Sequence, residues 1–346
     1  MDHPGLGSLK IAQILPEFHE GGVERHVLWL SNELAAMGHQ VTVITAGGKL
    51  EDKLDPSVKF WRLPVHRKDP LMGFYSALKI AARAKGEGWD ILHAHSRVPV
   101  WIAWWASSMS DIPWVFTAHD RYRKDWAIRP FKRAHGSICG SEAVRSHLSG
   151  SLPAKTVVII NGIPFSGRKC SKRETRVTKL LFLGRLTDRK GLQVVIQALS
   201  GIREQEWRLD IVGDGPKRED LEALAASLGL EGRVFFHGFQ DNPEEWMAES
   251  ELLLFPSLDE GMGLVLMQAI RVGIPVLASD IGPVRELVGE SAPLVTPGDV
   301  GKWRQGIEDI LSGRIGPPRF DPGVVPSIPD MAAGVLSFYE DVTRQR

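Results

Sequence analysis

Residues Phe255–Gln268 read F-P-S-L-D-E-G-M-G-L-V-L-M-Q, and this stretch decides the fold. The apolar run Leu252–Phe255 just before it has the length of a buried strand. Pro256 ends that run, Asp259 and Glu260 form an acidic tip, and Gly261 and Gly263 make a turn before a helix-like pattern starts at Leu264. Strand, acidic tip, glycine turn and helix start is how α/β proteins build anion sites. Backbone N–H groups at the helix start face the ligand, and glycines let it come close. A carboxylate beside such a site can accept hydrogen bonds from the hydroxyls of an anionic, sugar-like ligand.

On both sides of this stretch, short apolar runs alternate with helical patterns. Strand candidates in the first half are Lys10–Leu15, Val41–Thr45, Lys59–Leu63, Asp90–Ala94, Trp114–Thr117, Ser137–Cys139 and Thr156–Ile160. A helix over Glu24–Met37 is closed by Gly38. After Asn161-Gly162-Ile163-Pro164 the pattern gives way to S-G-R-K-C-S-K-R-E-T-R, the best domain boundary. The alternation restarts with Leu180–Leu183, Leu209–Val212, Val234–Phe236, Leu252–Phe255, Val276–Ala278 and Pro293–Val295. Five prolines near Gly313–Pro329 mark an extended crossing segment, and a last helix is expected over Asp330–Arg346. Alternating strands and helices imply parallel, doubly wound sheets. The expected organisation is one domain over residues 1–165, a second over 166–325, and a C-terminal helical segment, 326–346, crossing back to the first. Two such domains on one linker imply a cleft facing the carboxyl ends of both sheets.

Composition sets outer limits. A length of 346 residues suits two domains, and 43% hydrophobic with 24% charged residues is ordinary for a soluble globular chain. The two cysteines, Cys139 and Cys170, have no metal-type spacing and suit a reducing compartment. The N-terminus lacks a basic region followed by an apolar core, so no signal peptide is read. Val98–Met109, the longest weakly charged apolar run, is too short to span a bilayer. A cytoplasmic protein is expected. The net charge of +0 conceals a first half (1–165) at +5 and a second half at −5. The basic half suits an anionic lipid or acceptor; chance variation among solvated faces explains the difference equally well.

A second constellation follows strand Leu180–Leu183. The turn Gly184-Arg185-Leu186-Thr187-Asp188-Arg189-Lys190-Gly191 places two cations where they can reach a diphosphate near the Gly261–Gly263 turn. Fixed cations neutralise a developing diphosphate leaving group electrostatically. The strand Leu209–Val212 ends in Gly213-Asp214-Gly215-Pro216, another turn expected to line the cleft.

In order and spacing, G-R-L-x-x-x-K-G, V-G-D-G-P, H-G-F and F-P-S-x-x-E-G-x-G-L resemble the family 4 retaining glycosyltransferases of GT-B fold, the glycosyl transferases group 1. Gly21-Gly22-Val23-Glu24-Arg25-His26 resembles the family's glycine-rich loop, Thr117-Ala118-His119-Asp120 its strand-end His motif, and Asn161-Gly162-Ile163 its hinge signature. The resemblance runs from about Lys10 to about Trp303 and implies a GT-B fold, two Rossmann-like domains facing across a cleft. The first would be acceptor-side and the second would bind a nucleotide sugar. By the same resemblance Arg185 and Lys190 would hold the donor's diphosphate, and Glu260 would hydrogen-bond the transferred sugar. The N–H groups of Gly261, Met262, Gly263 and Leu264 would surround sugar and phosphate. Gly22, with Gly21, would approach the diphosphate from the other domain, and Gly184 and Gly213 belong to the turns lining the site. His119 would contact the donor sugar near the reacting carbon. The family transfers sugars with retention and without a required metal, so no metal and no resident cofactor is expected. A UDP-sugar is the expected donor, although base and sugar are not legible.

The chain departs from the family pattern twice. The second glutamate of the family's pair, which usually holds the ribose hydroxyls, is Gln268 here, and Pro164 replaces an acidic residue after the hinge signature. Hydrogen bonds to charged groups contribute roughly 1.5–3 kcal/mol against about 1 for neutral ones, so weaker or differently selective nucleotide binding is expected.

Each site residue also has an ordinary structural explanation. Arg185 suits a surface pair with Asp188, Lys190 a solvated helix start, Glu260 a helix N-terminal charge, His119 a satisfied turn histidine, and Gly21-Gly22 a plain turn. Asp120 reads as structural. His93 and His95 invite a metal reading, but no Cys or carboxylate partner recurs nearby. On the acceptor side, Arg121–His135 carries six Lys/Arg against one Asp, interleaved with Tyr122, Trp126 and Phe131, and Pro70–Lys85 reads as a basic helix with Leu71, Met72, Phe74 and Tyr75 near its start. Cations with aromatics suit peripheral contact with an anionic membrane or a phosphorylated glycolipid, and a charged helix with packed aromatics is the plainer reading. Trp101, Trp104 and Trp105 read mainly as core. No nucleic-acid-binding module is present. The expected function is transfer of a hexose-type sugar from a nucleotide donor to a glycan or glycolipid at the inner membrane face, in lipopolysaccharide or related envelope assembly. The rivals are a nucleotide-sugar epimerase of the same architecture and a catalytically silent sugar-nucleotide-binding scaffold subunit.

Overall fold

A computed structural model describes residues 7–164, 167, 170, 177–261 and 263–344. The chain divides into two compact units, Met1–Pro164 with Pro326–Arg346, and Phe165–Val325.

The first unit alternates from its start: β1 (Lys10–Ile14), α1 (Gly22–Ala36), β2 (Gln40–Thr45), β3 (Lys59–Arg62), α2 (Pro70–Glu87), β4 (Ile91–His95), α3 (Arg97–Ser110), β5 (Trp114–Ala118), β6 (Gly136–Cys139), α4 (Glu142–Leu148) and β7 (Thr156–Val158). All seven strands run parallel, in the order β3-β2-β1-β4-β5-β6-β7. Because strand side chains alternate with period two, each strand feeds two cores. Ala12, Ile14, Leu92, Ala94 and Phe116 face one core with Ala77, Ile80 and Ala103 from α2 and α3. Ile11, Val43, Ile91, Val115 and Ile138 face the other, with Val27 and Leu30 from α1. By the same alternation Gln13, His93, His95 and Thr117 lie on this second, otherwise apolar face.

The second unit holds β8 (Thr178–Leu183), α5 (Leu192–Leu199), β9 (Trp207–Val212), α6 (Arg218–Ser227), β10 (Val234–Gly238), α7 (Pro243–Glu249), β11 (Leu252–Phe255), α8 (Leu264–Val272), β12 (Val276–Ala278), α9 (Gly282–Val288) and α10 (Val300–Leu311). Its five strands are parallel in the order β10-β9-β8-β11-β12. The run Pro293–Val295 forms only an isolated bridge from Val295 to Ser279. Proline offers no N–H to a ladder, and Pro293 and Pro297 flank the single residue that pairs.

The chain then returns to the first unit as α11 (Ile328–Thr343). This helix starts two residues before the expected Asp330. Ser327 Oγ accepts from Asp330 N while the Asp330 carboxylate accepts from Ser327 N, a capping box with Pro329 in the first turn. Met331, Val335, Phe338, Tyr339 and Val342 lay its buried stripe on the second core of the seven-stranded sheet. Where the chain comes back, Ile163 bridges Ser327, and a Cβ on Gly162 would lie 2.2 Å from the Ser327 carbonyl oxygen. Only glycine fits at that crossing.

The tryptophans of α3 sit at the edge of the core. Trp104 and Trp105 are half-buried and pack against the first core, and Trp101, also half-buried, lies beside them. Val100, Ile102, Ala103 and Ala106 take the sheet-facing stripe. The indoles sit on its flank, with Trp105 6.1 Å from Phe74 and Trp101 6.0 Å from Trp126 between ring centres.

Candidate active site

In each sheet the strand order reverses once, between β1 and β4 and between β8 and β11. Crevices of open α/β sheets form at such reversals, at the carboxyl ends of the strands. In the second unit that point lies between the turn after β8 and the turn after β11. The two turns are tied together by Leu258 N donating to Arg189 O at 2.8 Å and by an Arg189–Asp259 pair at 3.0 Å. Beneath that tie, Lys190 Nζ lies 2.5 Å from Glu260 Oε1, and Ser257 Oγ donates to the same oxygen at 2.7 Å. Glu260 is 7% exposed. Its second oxygen has no partner among the described residues and is left to accept a hydroxyl. The ion pair therefore orients the carboxylate before any ligand arrives.

Helix α8 starts from Gly263 in the left-handed conformation, φ 65°, with no side chain capping it. Its first-turn N–H groups keep their partial positive charge for an incoming anion. Gln268, on the second turn, is buried and its amide makes no hydrogen bond among the described residues. The ends of β8 and β9 are joined by Gly184 N to Val212 O at 3.0 Å and Leu186 N to Asp214 O at 2.9 Å. Gly213 has φ 139°, and a Cβ there would stand 1.9 Å from the Gly184 carbonyl oxygen. Both constraints demand glycine.

The structure brings Lys190, Glu260, Gly261, Gly263, Leu264 and Gln268 to one end of one sheet, with Gly184 and Gly213 in the adjoining strand ends. Arg185 follows Gly184 directly after β8; it is exposed and makes no ion pair among the described residues, while Asp188, its expected surface partner, pairs with Lys217 at 3.6 Å. Met262 lies outside the described residues. Ser257 was missed, although it stands inside the deciding stretch, three residues before the carboxylate it supports.

The remaining expected residues belong to the first unit. Gly21 is the extended N-cap of α1 and Gly22 its first residue, again without a side-chain cap. His119 follows β5 at 4% exposure. Its Nε2 lies 2.8 Å from His95 Nδ1, the two rings stack at 5.1 Å, and His26 of α1 meets His119 edge-on at 4.9 Å. Ring nitrogens of His26, His95 and His119 fall within 4.8 Å of one another. Burial holds all of them neutral. It lowers His26 to about 4, and it lowers His95 and His119 well below the usual histidine range, with repulsion among the rings adding to it. His95 thus meets His119 by hydrogen bond and His26 by a ring contact at 5.6 Å, and His26 lies 69 positions upstream on a helix, where no local spacing rule would connect it to His95.

The family model for glycosyl transferases group 1 matches residues 177–313, and that for glycosyltransferase family 4 matches residues 20–166. The chain is 30% identical over 305 residues to the N-acetyl-alpha-D-glucosaminyl L-malate synthase of Bacillus anthracis, covering 78% of this chain and 79% of the relative. It is 25% identical over 308 residues to the lipopolysaccharide core biosynthesis glycosyltransferase LpsE of Rhizobium meliloti (strain 1021), covering 85% and 86%. Among solved structures, Anabaena Alr3699/HepE in complex with UDP and glucose superposes with a TM-score of 0.78 at 20% identity, over 97% of this chain and 99% of that one. The two parallel sheets, the glycine turns at their ends and these similarities establish the chain as a member of the group 1, family 4 glycosyltransferases, an enzyme of GT-B fold.

Proposed function

We propose that the enzyme moves a sugar from a nucleotide sugar, expected to be a UDP-sugar, to a glycan or glycolipid of the cell envelope with retention at the anomeric carbon. The observation that carries this reading is the pre-formed Lys190–Glu260–Ser257 group beside the uncapped start of α8. Lys190, exposed Arg185 and the helix start together supply positive charge for a diphosphate. The unpaired oxygen of Glu260 accepts from a hydroxyl of the transferred sugar, His119 contacts the same sugar, and Gln268 takes the nucleotide's ribose. Gly21 and Gly22 offer N–H groups to the donor from the start of α1. No metal enters this scheme, since charge on the leaving diphosphate is met by cationic side chains and backbone dipoles. A lipopolysaccharide-type acceptor accords with the role of LpsE in lipopolysaccharide core biosynthesis.

A membrane-borne acceptor is supported by one surface of the first unit. Leu71 of α2 is 80% exposed and Trp126 68% exposed, with Phe74, Tyr75 and Leu78 about half exposed between basic side chains. Among the described residues, no helix is long and apolar enough to cross a membrane. Aromatics ringed by Lys and Arg suit the headgroup layer of anionic lipid, where rings stay half-wet and cations meet phosphate. Sedimentation with phosphatidylglycerol vesicles but not with phosphatidylcholine vesicles, lost in Leu71→Ser/Phe74→Ser, is the expected behaviour at the cytoplasmic membrane face.

Thermal shift with UDP-, GDP-, ADP- and CDP-sugars identifies the donor, since ligand binding to the folded state raises stability with ligand concentration. The same donor incubated without acceptor must remain chemically unchanged apart from slow hydrolysis. Epimerised donor in that control establishes the epimerase instead. Unaltered envelope glycans in cells carrying Glu260→Ala, with altered glycans when the protein is deleted, establish the scaffold subunit.

A further inference from the structure

The polar residues on the second face of the seven-stranded sheet form one continuous chain of hydrogen bonds. His119 Nε2 meets His95 Nδ1 at 2.8 Å, His95 Nε2 meets Gln13 Oε1 at 2.7 Å, and Gln13 Nε2 donates to Tyr339 Oη at 3.0 Å. Tyr339 Oη then meets His93 Nδ1 at 2.5 Å, and His93 Nε2 meets Thr117 Oγ1 at 2.8 Å. Every ring in it is buried, and Tyr339 comes from α11, the segment that returns to this unit after the second one.

Gln13 gives the chain a direction because its two ends differ. Its carbonyl oxygen must accept, so His95 carries its proton on Nε2 and its Nδ1 is a lone pair. His119 must then donate from Nε2. At the other end the amide of Gln13 donates to Tyr339, whose hydroxyl proton goes to His93 Nδ1, and His93 donates from Nε2 to Thr117. Each member gives one proton and takes one bond. Turning the Gln13 amide over reverses every bond and ends on a buried N–H at His119 Nδ1, which has no partner among the described residues. An orphaned buried N–H is the rarer and costlier defect. The observed direction instead ends on a lone pair at that atom.

We propose that Gln13 and Tyr339 are positioning residues that act through His95 to fix the proton of His119 on Nε2, leaving the buried Nδ1 of His119 as an unprotonated lone pair. The effect on donor turnover rests on the transfer reading above, whereas the position of the proton does not. The near grouping of His26, His95 and His119 does not act as a cation site in this arrangement. His95 Nδ1 and His119 Nε2 already share a proton, and no carboxylate belongs to the group to balance a buried dication.

Long-range proton–nitrogen correlation spectra of the full chain labelled with 15N-histidine read the tautomer directly, with the His119 signals identified by their absence in His119→Gln. At pH 7 the wild-type protein is expected to show His119 neutral and protonated on Nε2. Gln13→Leu should convert it to a mixture of tautomers, and Gln13→Glu, which still accepts from His95, should restore the wild-type pattern. In parallel, kcat/KM for the donor should fall about fivefold in Gln13→Leu, the loss of one neutral hydrogen bond, and recover in Gln13→Glu. The wild-type spectrum needs no variant to fold, so misfolding of Gln13→Leu leaves the main test intact. The proposal is overturned by a His119 proton on Nδ1, by a His119 tautomer unmoved in folded Gln13→Leu, or by one equivalent of zinc that binds wild type and is lost in His26→Ala. Absence of any transferase activity with the expected tautomer in place would instead count against the functional reading alone.

Discussion

The two sheets reverse strand order at the same topological place and furnish it in opposite ways. Between β8 and β11 the second unit sets an ion pair, an uncapped helix start and glycine turns, with Lys190 about one quarter exposed and Arg185 open to solvent. Around the reversal between β1 and β4 the first unit gathers uncharged groups, Gln13, His93 and His95 from those strands with His26, Thr117, His119 and Tyr339 from neighbouring elements, inside an otherwise apolar core. The difference follows from what each must hold. Charges kept near water can meet an anion without a large desolvation penalty, and each partner keeps the other oriented until the ligand comes. Deep burial forbids charge, and there the useful property is the fixed placing of a proton.

The largest expected effect tests whether charge in the second unit dominates. Glu260→Ala should lower kcat/KM by about 10³, and Lys190→Ala by about 10², the range for losing a preorganised electrostatic contact at a reacting centre. His119→Ala, which removes a neutral hydrogen bond, should cost about tenfold. Initial rates with saturating acceptor decide it. Equal losses at His119 and Glu260 would break the comparison.

Much of this was legible in the sequence because period-two apolar runs and glycine turns are local signals. Twelve of the thirteen strand candidates became strands, and α8 begins at Leu264 as the glycine turn indicated. The Lys190–Glu260 contact was also within reach, since each residue sits on a strand-end turn and parallel neighbours bring such turns together. What could not be read depends on long-range register. Gln13 stands opposite His93, and His95 opposite Thr117, only once β1, β4 and β5 are aligned. Tyr339 arrives from a helix more than 200 residues later in the chain. Alternation within one strand puts His93 and His95 on a single face, but a polar residue in an apolar strand gives no sign of its partner on another strand. Arg185 was drawn toward Glu260 by its spacing from Lys190, yet its side chain is solvated, as a cation awaiting an anion can be.

A second effect probes the neutral half. The folded state holds His26 at about 4, whereas an unfolded histidine titrates near its usual 6.5. Below pH 6.5 the unfolded chain therefore binds the proton that the folded chain refuses, and stability falls as the pH falls. One histidine contributes about 1.4 kcal/mol per pH unit in this window. Denaturant midpoints should show wild type losing about 2 kcal/mol more than His26→Leu between pH 6.5 and 5. Parallel pH profiles for the two proteins would mean that His26 is not kept neutral by the fold, and the contrast between the units would lose its basis.

The smallest effect asks whether the charged half can be made more so. Gln268 is nearly inaccessible and has no hydrogen-bond partner among the described residues, beside a helix start that favours negative charge. In Gln268→Glu the carboxylate would hydrogen-bond ribose hydroxyls more strongly than the amide does, by about 1 kcal/mol, or roughly fivefold in the donor's Kd. Without ligand the same carboxylate is desolvated and unpaired, so the free variant should melt a few degrees below wild type. Calorimetric titration with the donor found in the thermal-shift panel, alongside melting curves with and without it, separates the two terms. Tighter binding with a less stable free protein is the expected pair of results. Weaker binding would mean that the position needs the amide N–H as a donor, and that neutrality at Gln268 serves recognition of the nucleotide just as neutrality serves the histidines of the first unit.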